Sequence, residues 1–312
     1  QASELTKCNI YGKAEYLNPG ESVKDRAALF IVEDALKNKK LQKGGTIVEG
    51  TAGNTGIGLA VVCREYGLKL KIVIPKTQSI EKKETLKKLG AELIEVDAVP
   101  FNNPKNYIKQ SKKIAEDLSK KVRNGVIWAN QFDNIVNTES HIKTTSQEIW
   151  SQTAGKIDGF ICSVGTGGTL AGVSIGLKEK NKGIKIGLSD PMGSSLYNYI
   201  KNNKLESNGS SITEGIGTSR ITKNFEKAIV DIAFQTDDNE ALKIVYDLID
   251  NQQIILGGSS GINIAGAIKL AKEMGPGKNI VTILCDDGRR YASKIFNKKF
   301  LIEKKLPIPN WL

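Results

Sequence analysis

Short apolar runs alternate with longer amphipathic or apolar stretches almost from end to end of this chain, and few architectures accept that pattern. Residues 46–49, 70–74, 91–96, 126–129, 159–163, 184–188, 228–234, 254–256 and 280–284 read as strands. Between them, helical patterns cover stretches starting near Lys24, 57–66, 80–89, a long segment ending near Val122, 138–150, 170–180, 238–251 and 262–274. Parallel strands need crossover connections, usually helices, so the alternation predicts parallel sheets covered on both faces. The expected fold class is α/β, with two doubly wound, mainly parallel-sheet domains. The 312 residues suffice for two lobes. The expected division is a smaller N-terminal α/β domain over 18–134 and a larger C-terminal one formed by 1–17 and 135–312. The spacing is irregular, which argues against a solenoid. In such sheets ligands bind beyond the carboxyl ends of the strands.

Three glycine loops fall at those ends: 50–56, 165–169 and 257–261. Gly165-Thr166-Gly167-Gly168-Thr169 lies between a strand and a helix, so its backbone N–H groups and the helix dipole form an anion cradle. It lacks the third glycine of a dinucleotide fingerprint and the Gly-Lys-Ser/Thr of a P-loop, so it suits a simple phosphate. Gly50-Thr51-Ala52-Gly53-Asn54-Thr55-Gly56 is a second cradle, with side-chain donors from Thr51, Asn54 and Thr55. Gly257-Gly258-Ser259-Ser260-Gly261 matches the nucleophile elbow of hydrolases. That reading lacks a base, because the single histidine, His141, lies upstream of the serine and is expected to have a packing or local hydrogen-bonding role. Without further histidines or paired cysteines, a zinc site is not expected.

One lysine stands apart. Lys24 follows the turn Asn18-Pro19-Gly20 and sits on the first turn of an amphipathic helix that Ser22 would cap. A helix N-terminus disfavours an ammonium, and a lysine eased toward neutrality is what imine chemistry requires. A phosphate cradle, a carboxylate cradle, a lysine nucleophile and a serine loop together fit pyridoxal 5′-phosphate (PLP). Ser259 would then hydrogen-bond the pyridine nitrogen, and a neutral partner there favours β-elimination over transamination.

The net charge of +11 raises the question of nucleic acid. The lysines, however, are mixed with acids on helix faces, as in Glu81-Lys82-Lys83-Glu84, with no aromatic platform, so no nucleic-acid partner is expected. No apolar run reaches transmembrane length and the start lacks a signal-peptide pattern, so no membrane association is expected. The four cysteines are widely spaced, as reduced thiols in the cytoplasm would be.

These motifs resemble the cysteine synthase (O-acetylserine sulfhydrylase) family of fold-type II, tryptophan-synthase-β-like PLP enzymes, over nearly the whole chain. Asn18-Pro19-Gly20-Glu21-Ser22-Val23-Lys24-Asp25-Arg26 looks like that family's cofactor-lysine motif. The resemblance makes Lys24 the catalytic, cofactor-bearing lysine and puts the cofactor in the cleft between the lobes. It implies that Asn54 touches the cofactor's 3′ oxygen, and that Thr51, Ala52, Asn54, Thr55 and Gln131 line the substrate carboxylate site. It also implies that 165–169 hold the phosphate, that Gly215 closes over the cofactor, and that Ser259 meets the ring nitrogen. The implied activity is β-replacement, making L-cysteine from O-acetyl-L-serine or O-phosphoserine and sulfide via an aminoacrylate, by a homodimer. Cystathionine β-synthase-like or other β-replacement and elimination chemistry is the alternative. A weakly active member serving as a binding partner, for instance of the serine acetyltransferase C-terminal tail, is another. The chain departs from the family pattern at Ala52, usually serine; at Glu21, commonly glycine; at Thr218-Ser219-Arg220; and at Cys285-Asp286-Asp287. An Arg220 pointing into the cleft would bind an anionic leaving group; otherwise it is a surface arginine of the closing loop.

Overall fold

The computed structural model describes residues 1–312. Nine strands form two sheets, and every ladder is parallel. The five-stranded sheet contains β1 (Asn9–Ala14), β6 (Gly159–Cys162), β7 (Lys185–Pro191), β8 (Ile232–Thr236) and β9 (Asn279–Leu284), in the order β1-β9-β6-β7-β8. The four-stranded sheet contains β2 (Thr46–Gly50), β3 (Lys69–Pro75), β4 (Glu92–Val96) and β5 (Val126–Trp128), in the order β4-β3-β2-β5. Helices α1 (Ala2–Thr6), α2 (Lys24–Lys37), α3 (Asn54–Tyr66), α4 (Ile80–Lys88), α5 (Tyr107–Ser119) and α6 (Val136–Ser140) belong to the first half. The second half carries α7 (Ser146–Gln152), α8 (Gly168–Lys180), α9 (Leu196–Asn202), α10 (Asp238–Gln252), α11 (Gly258–Met274) and α12 (Lys298–Lys304).

The period-two geometry of a strand explains the two-sided cover. In β6, Phe160 and Cys162 join the core under α8, whereas Ile161 faces the other way into the cluster with Ala267, Leu270 and Ala271 of α11. In β2, Ile47 packs with Ile31 and Ile57 of α2 and α3, while Gly50 abuts the backbone of α5 at Tyr107 and Ile108. Both sheets are therefore doubly wound.

Strand order reverses at two places, between β2 and β5 and between β6 and β9. Those reversals open crevices at the carboxyl ends, where connections leave in opposite directions. The segments that follow β2 and β5 carry 51–55 and Gln131; those that follow β6 and β9 carry 165–169 and 285–290. The site is thus fixed by topology before any side chain is considered.

Some local expectations change. The segment expected as a strand at 254–256 makes only one isolated bridge, Leu256 to Asp287. Helix α11 begins at Gly258, so Ser259 lies in its first turn and not in a loop before it. Val23 precedes α2, and the Ser22 hydroxyl accepts from the Lys24 N–H at 3.3 Å from one residue farther out. No helix is long and apolar enough to cross a membrane.

Candidate active site

Lys24 is the first residue of α2 and lines a cleft of about 470 Å³. The same cleft is lined by Thr51, Ala52, Asn54, Thr55, Gln131, Gly165, Thr166, Gly215 and Ser259. Gly167 and Thr169 line an adjoining recess that Lys24 also borders. Gly168 is buried behind them, where an added Cβ would lie 2.1 Å from Asn137 Oδ1. The sequence-expected residues therefore gather at one place, although they come from both sheets.

The loop 165–169 is built for an anion. The N–H groups of Thr166, Gly167 and Thr169 have no acceptor in the protein, and they sit at the N-terminus of the 13-residue α8. Gly167 takes φ 91°, and a Cβ on Gly165 would lie 2.1 Å from the Gly215 carbonyl oxygen. Close approach of the 211–220 loop to the cradle thus needs glycine at 165. Asn137 donates to Thr166 Oγ1 at 3.0 Å and to the Gln131 carbonyl at 2.8 Å, tying the two cradles together. His141 is buried, with Nδ1 2.8 Å from Thr145 Oγ1 and Nε2 3.2 Å from Thr169 Oγ1. Burial first, then Arg26 and Lys24, pushes its pKa down to about 3, so it is a neutral support for Thr169. The donor set fits a group that carries both a phosphate and an aldehyde: acceptor-free N–H groups at a helix start, the Lys24 amine and the Ser259 hydroxyl line one cleft and its adjoining recess.

The second cradle, 50–56 with Gln131, is pre-wired. Thr55 Oγ1 donates to Gln131 Oε1 at 2.5 Å, Gln131 Nε2 donates to the Gly50 carbonyl at 3.3 Å, and Thr51 Oγ1 accepts from the Gly53 N–H at 3.1 Å. Ala52 supplies no side-chain donor. Beneath lies Glu49, 1% exposed, with Oε2 unpartnered. Burial pushes its pKa up to about 8, against hydrogen bonds from the Gln131 side chain and the Asn130 and Gln131 N–H groups. A carboxyl whose folded pKa is raised contributes stability below its unfolded pKa of 4.5, and that contribution is lost as pH rises through about 8. Glu49→Gln should therefore gain stability over wild type between pH 5 and pH 9, by a few kcal/mol at about 1.4 kcal/mol per pKa unit. Urea midpoints of both proteins at the two pH values check this; an equal difference at both would contradict it.

Two departures from the family pattern acquire physical reasons. Glu21 takes φ 55°, a backbone position that favours glycine, and its carboxylate lies within 3.4 Å of Arg289 and 3.3 Å of Arg290. Arg220 lines the cleft, but its fork is engaged by Asp133 at 3.1 and 3.2 Å, and its guanidinium lies over Phe101 and Phe132. It fastens the 211–220 loop to the turn after β5. Sequence reasoning missed Asn137, Asn224, Asp286 and Arg290, all of which hold site residues in place. Asn224 donates to the carbonyls of Gln131 and Phe132, at 2.9 and 2.7 Å. No spacing motif marks these four. Asp286 alone carried a signal, as part of the noted Cys285-Asp286-Asp287 departure.

Comparison with known proteins agrees with this geometry. The family model described as "Pyridoxal-phosphate dependent enzyme" matches residues 1–286. Cysteine synthase 1 of Neurospora crassa is 49% identical, over 97% of this chain and 81% of that protein. Cysteine synthase 1 of Emericella nidulans is 48% identical, over 97% of this chain and 82% of its own length. Among solved structures, the O-acetylserine dependent cystathionine beta-synthase of Helicobacter pylori superposes with a TM-score of 0.82 at 33% identity, covering 91% of this chain and 89% of that one. A doubly wound pair of parallel sheets, a lysine at a helix start lining the same cleft as an anion cradle, and these matches lead to one conclusion: the chain belongs to the family of pyridoxal-phosphate dependent enzymes.

Proposed function

We propose that this enzyme is a cysteine synthase, replacing the β-substituent of an O-activated L-serine with sulfide to give L-cysteine. The observation that carries the reading is the meeting of Lys24, two anion cradles and a neutral serine in one cleft. The names of the relatives at 49 and 48% identity point the same way.

Bound PLP supplies an aldehyde for a lysine or substrate amine and a ring that withdraws electrons from the substrate Cα. Lys24 Nζ is the amine that would hold it. At the substrate, Lys24 Nζ would act as base at Cα and would return the proton once the C–O bond at Cβ has broken, with acetate or phosphate leaving, and sulfide has formed the C–S bond. Thr51, Asn54, Thr55, Gln131 and the Ala52 backbone bind the α-carboxylate, which takes over the Thr55 hydroxyl from Gln131. The free N–H groups of the 165–169 loop would bind the phosphate. Ser259 would meet the ring nitrogen, Asn54 the 3′ oxygen, and Gly215 with its loop would exclude water. The small lobe, 18–134, and the large lobe, 1–17 with 135–312, form the two walls. We further infer a homodimer, which sedimentation checks, and a reducing compartment, the cytoplasm, with which the free thiols Cys8, Cys63, Cys162 and Cys285 agree. A serine acetyltransferase tail would compete for the same carboxylate cradle.

Because Arg220 is neutralised by Asp133, O-acetylserine is the favoured donor over O-phosphoserine. Arg220→Ala should leave the ratio of kcat/KM for the two donors within about twofold and lower both, since loop seating and not charge recognition is lost. A selective loss of turnover with O-phosphoserine would contradict this. The likeness to a cystathionine beta-synthase favours one second reading, a thiol such as homocysteine as the nucleophile. Rates with sulfide and with homocysteine under identical conditions separate the two.

A further inference from the structure

Behind Asn54 runs a chain of buried polar groups that neither cradle requires. Lys82, from α4, is 1% exposed. Its ammonium donates to Glu214 Oε2 at 2.7 Å and to the Tyr291 hydroxyl at 3.0 Å. Tyr291 donates in turn to Asp286 Oδ2 at 2.6 Å, and the same oxygen accepts Asn54 Nδ2 at 2.6 Å. From the other side Arg290 donates to Asn54 Oδ1 at 3.0 Å. The Asn54 amide is therefore held between a buried cation and a buried anion. Turning it over would set N–H against N–H and oxygen against oxygen, so one orientation is imposed.

The members of this chain belong to parts that meet only in the folded site. Glu214 lies in the 211–220 loop over the cleft, Lys82 in a helix packed beside the four-stranded sheet, and Asp286 and Tyr291 beyond β9. Gly53, at φ 129°, is moulded on the Lys82 stem: a Cβ there would lie 2.6 Å from Lys82 Cδ. A buried ion pair gives little net stability over an apolar pair of similar volume, so stability alone does not account for Lys82 and Glu214. Burial and the neighbouring carboxylates hold the Tyr291 hydroxyl protonated, which fixes the direction of its donation.

We propose that Lys82 and Tyr291 are positioning residues: through Asp286 they hold the Asn54 amide in register with the 211–220 loop, so that seating the loop and presenting the amide to the cofactor happen together. The proposal rests on the placement of Asn54 against the cofactor.

The test uses full-length protein with PLP as the probe, in wild type, Asn54→Ala, Tyr291→Phe, Lys82→Met and Lys82→Arg. Three quantities are read: the PLP dissociation constant, the visible absorption band of the bound cofactor, and the slowing of hydrogen exchange that PLP confers on residues 211–220. Tyr291→Phe removes one oxygen, which bonds Lys82 and Asp286, and keeps the ring. It should weaken PLP binding at least threefold, shift the band, and reduce the protection of the loop at least threefold. Lys82→Met should do the same and Lys82→Arg should restore much of the loss. If Asn54→Ala disturbs binding and band while Tyr291→Phe matches wild type in all three readouts, the relay is overturned, whatever becomes of Lys82→Met. If Asn54→Ala itself leaves PLP binding and band unchanged, the placement of Asn54 fails, and the proposal with it.

Discussion

Lys24→Ala is expected to lower turnover by at least about 10³-fold, within the range that proton transfer by a positioned side chain contributes, and to abolish the visible absorption of lysine-linked cofactor. The protein should still fold. Helix α2 is anchored by Ala27, Ala28, Ile31, Val32 and Ala35 on its buried face, and none of these contacts involves the lysine amine. Equilibrium dialysis should show PLP still retained, more weakly, because the phosphate cradle is independent of Lys24. Absorbance spectra and steady-state rates check the result. A Lys24→Ala protein that keeps both the band and the rate would remove Lys24 from the chemistry.

Arg26→Met carries the largest expected effect on stability. The Arg26 fork meets Glu15 at 2.8 Å through Nε and Nη2, and Glu148 at 2.7 and 2.8 Å through Nη1 and Nη2. Glu15 is 1% exposed, so the substitution strands a buried carboxylate. Removing one partner of such a pair typically costs about 3–5 kcal/mol, mostly as the penalty on the charge left behind. The same fork fastens α2, and so Lys24, to the segment after β1 and to α7. Denaturant unfolding should show a lower midpoint with an unchanged slope. Adding Glu15→Gln to Arg26→Met should recover part of the loss, since it removes the stranded charge. Arg26→Lys should rescue only partly, because an ammonium cannot serve two carboxylates with a planar fork. The Glu148 carboxyl, held down to about 2 chiefly by its hydrogen bond from Arg26, should move back toward its ordinary value in Arg26→Met. A midpoint within error of wild type would contradict the whole argument.

The sequence was most legible where one local rule governs. Strand and helix periods recovered the parallel, two-sided sheets, because a parallel strand buried on both faces can hardly be written any other way. The glycine loops were legible because close backbone approach and positive φ admit few residues, as at Gly53 and Gly167. Strand β1 was not, since Asn9–Ala14 is a half-exposed edge whose register is set by β9, far along the chain. The short helices α9 and α12 were hidden for a related reason: each buries a single residue, so neither has a periodic face. That Asp286 and Arg290 partner Asn54 was illegible, because they lie 232 and 236 residues away and only the fold brings them together. Arg220 was half legible. The closing loop left open whether it points into the cleft or to the surface, and Asp133 lies 87 residues away, with nothing local to pair them.

The most direct measurement is to give PLP-loaded protein O-acetyl-L-serine and sulfide and to quantify L-cysteine against acetate released. The expected result is equal amounts of both, formed over many turnovers. Acetate released without L-cysteine, or a thioether formed with homocysteine while sulfide gives no cysteine, would contradict the assignment as a cysteine synthase.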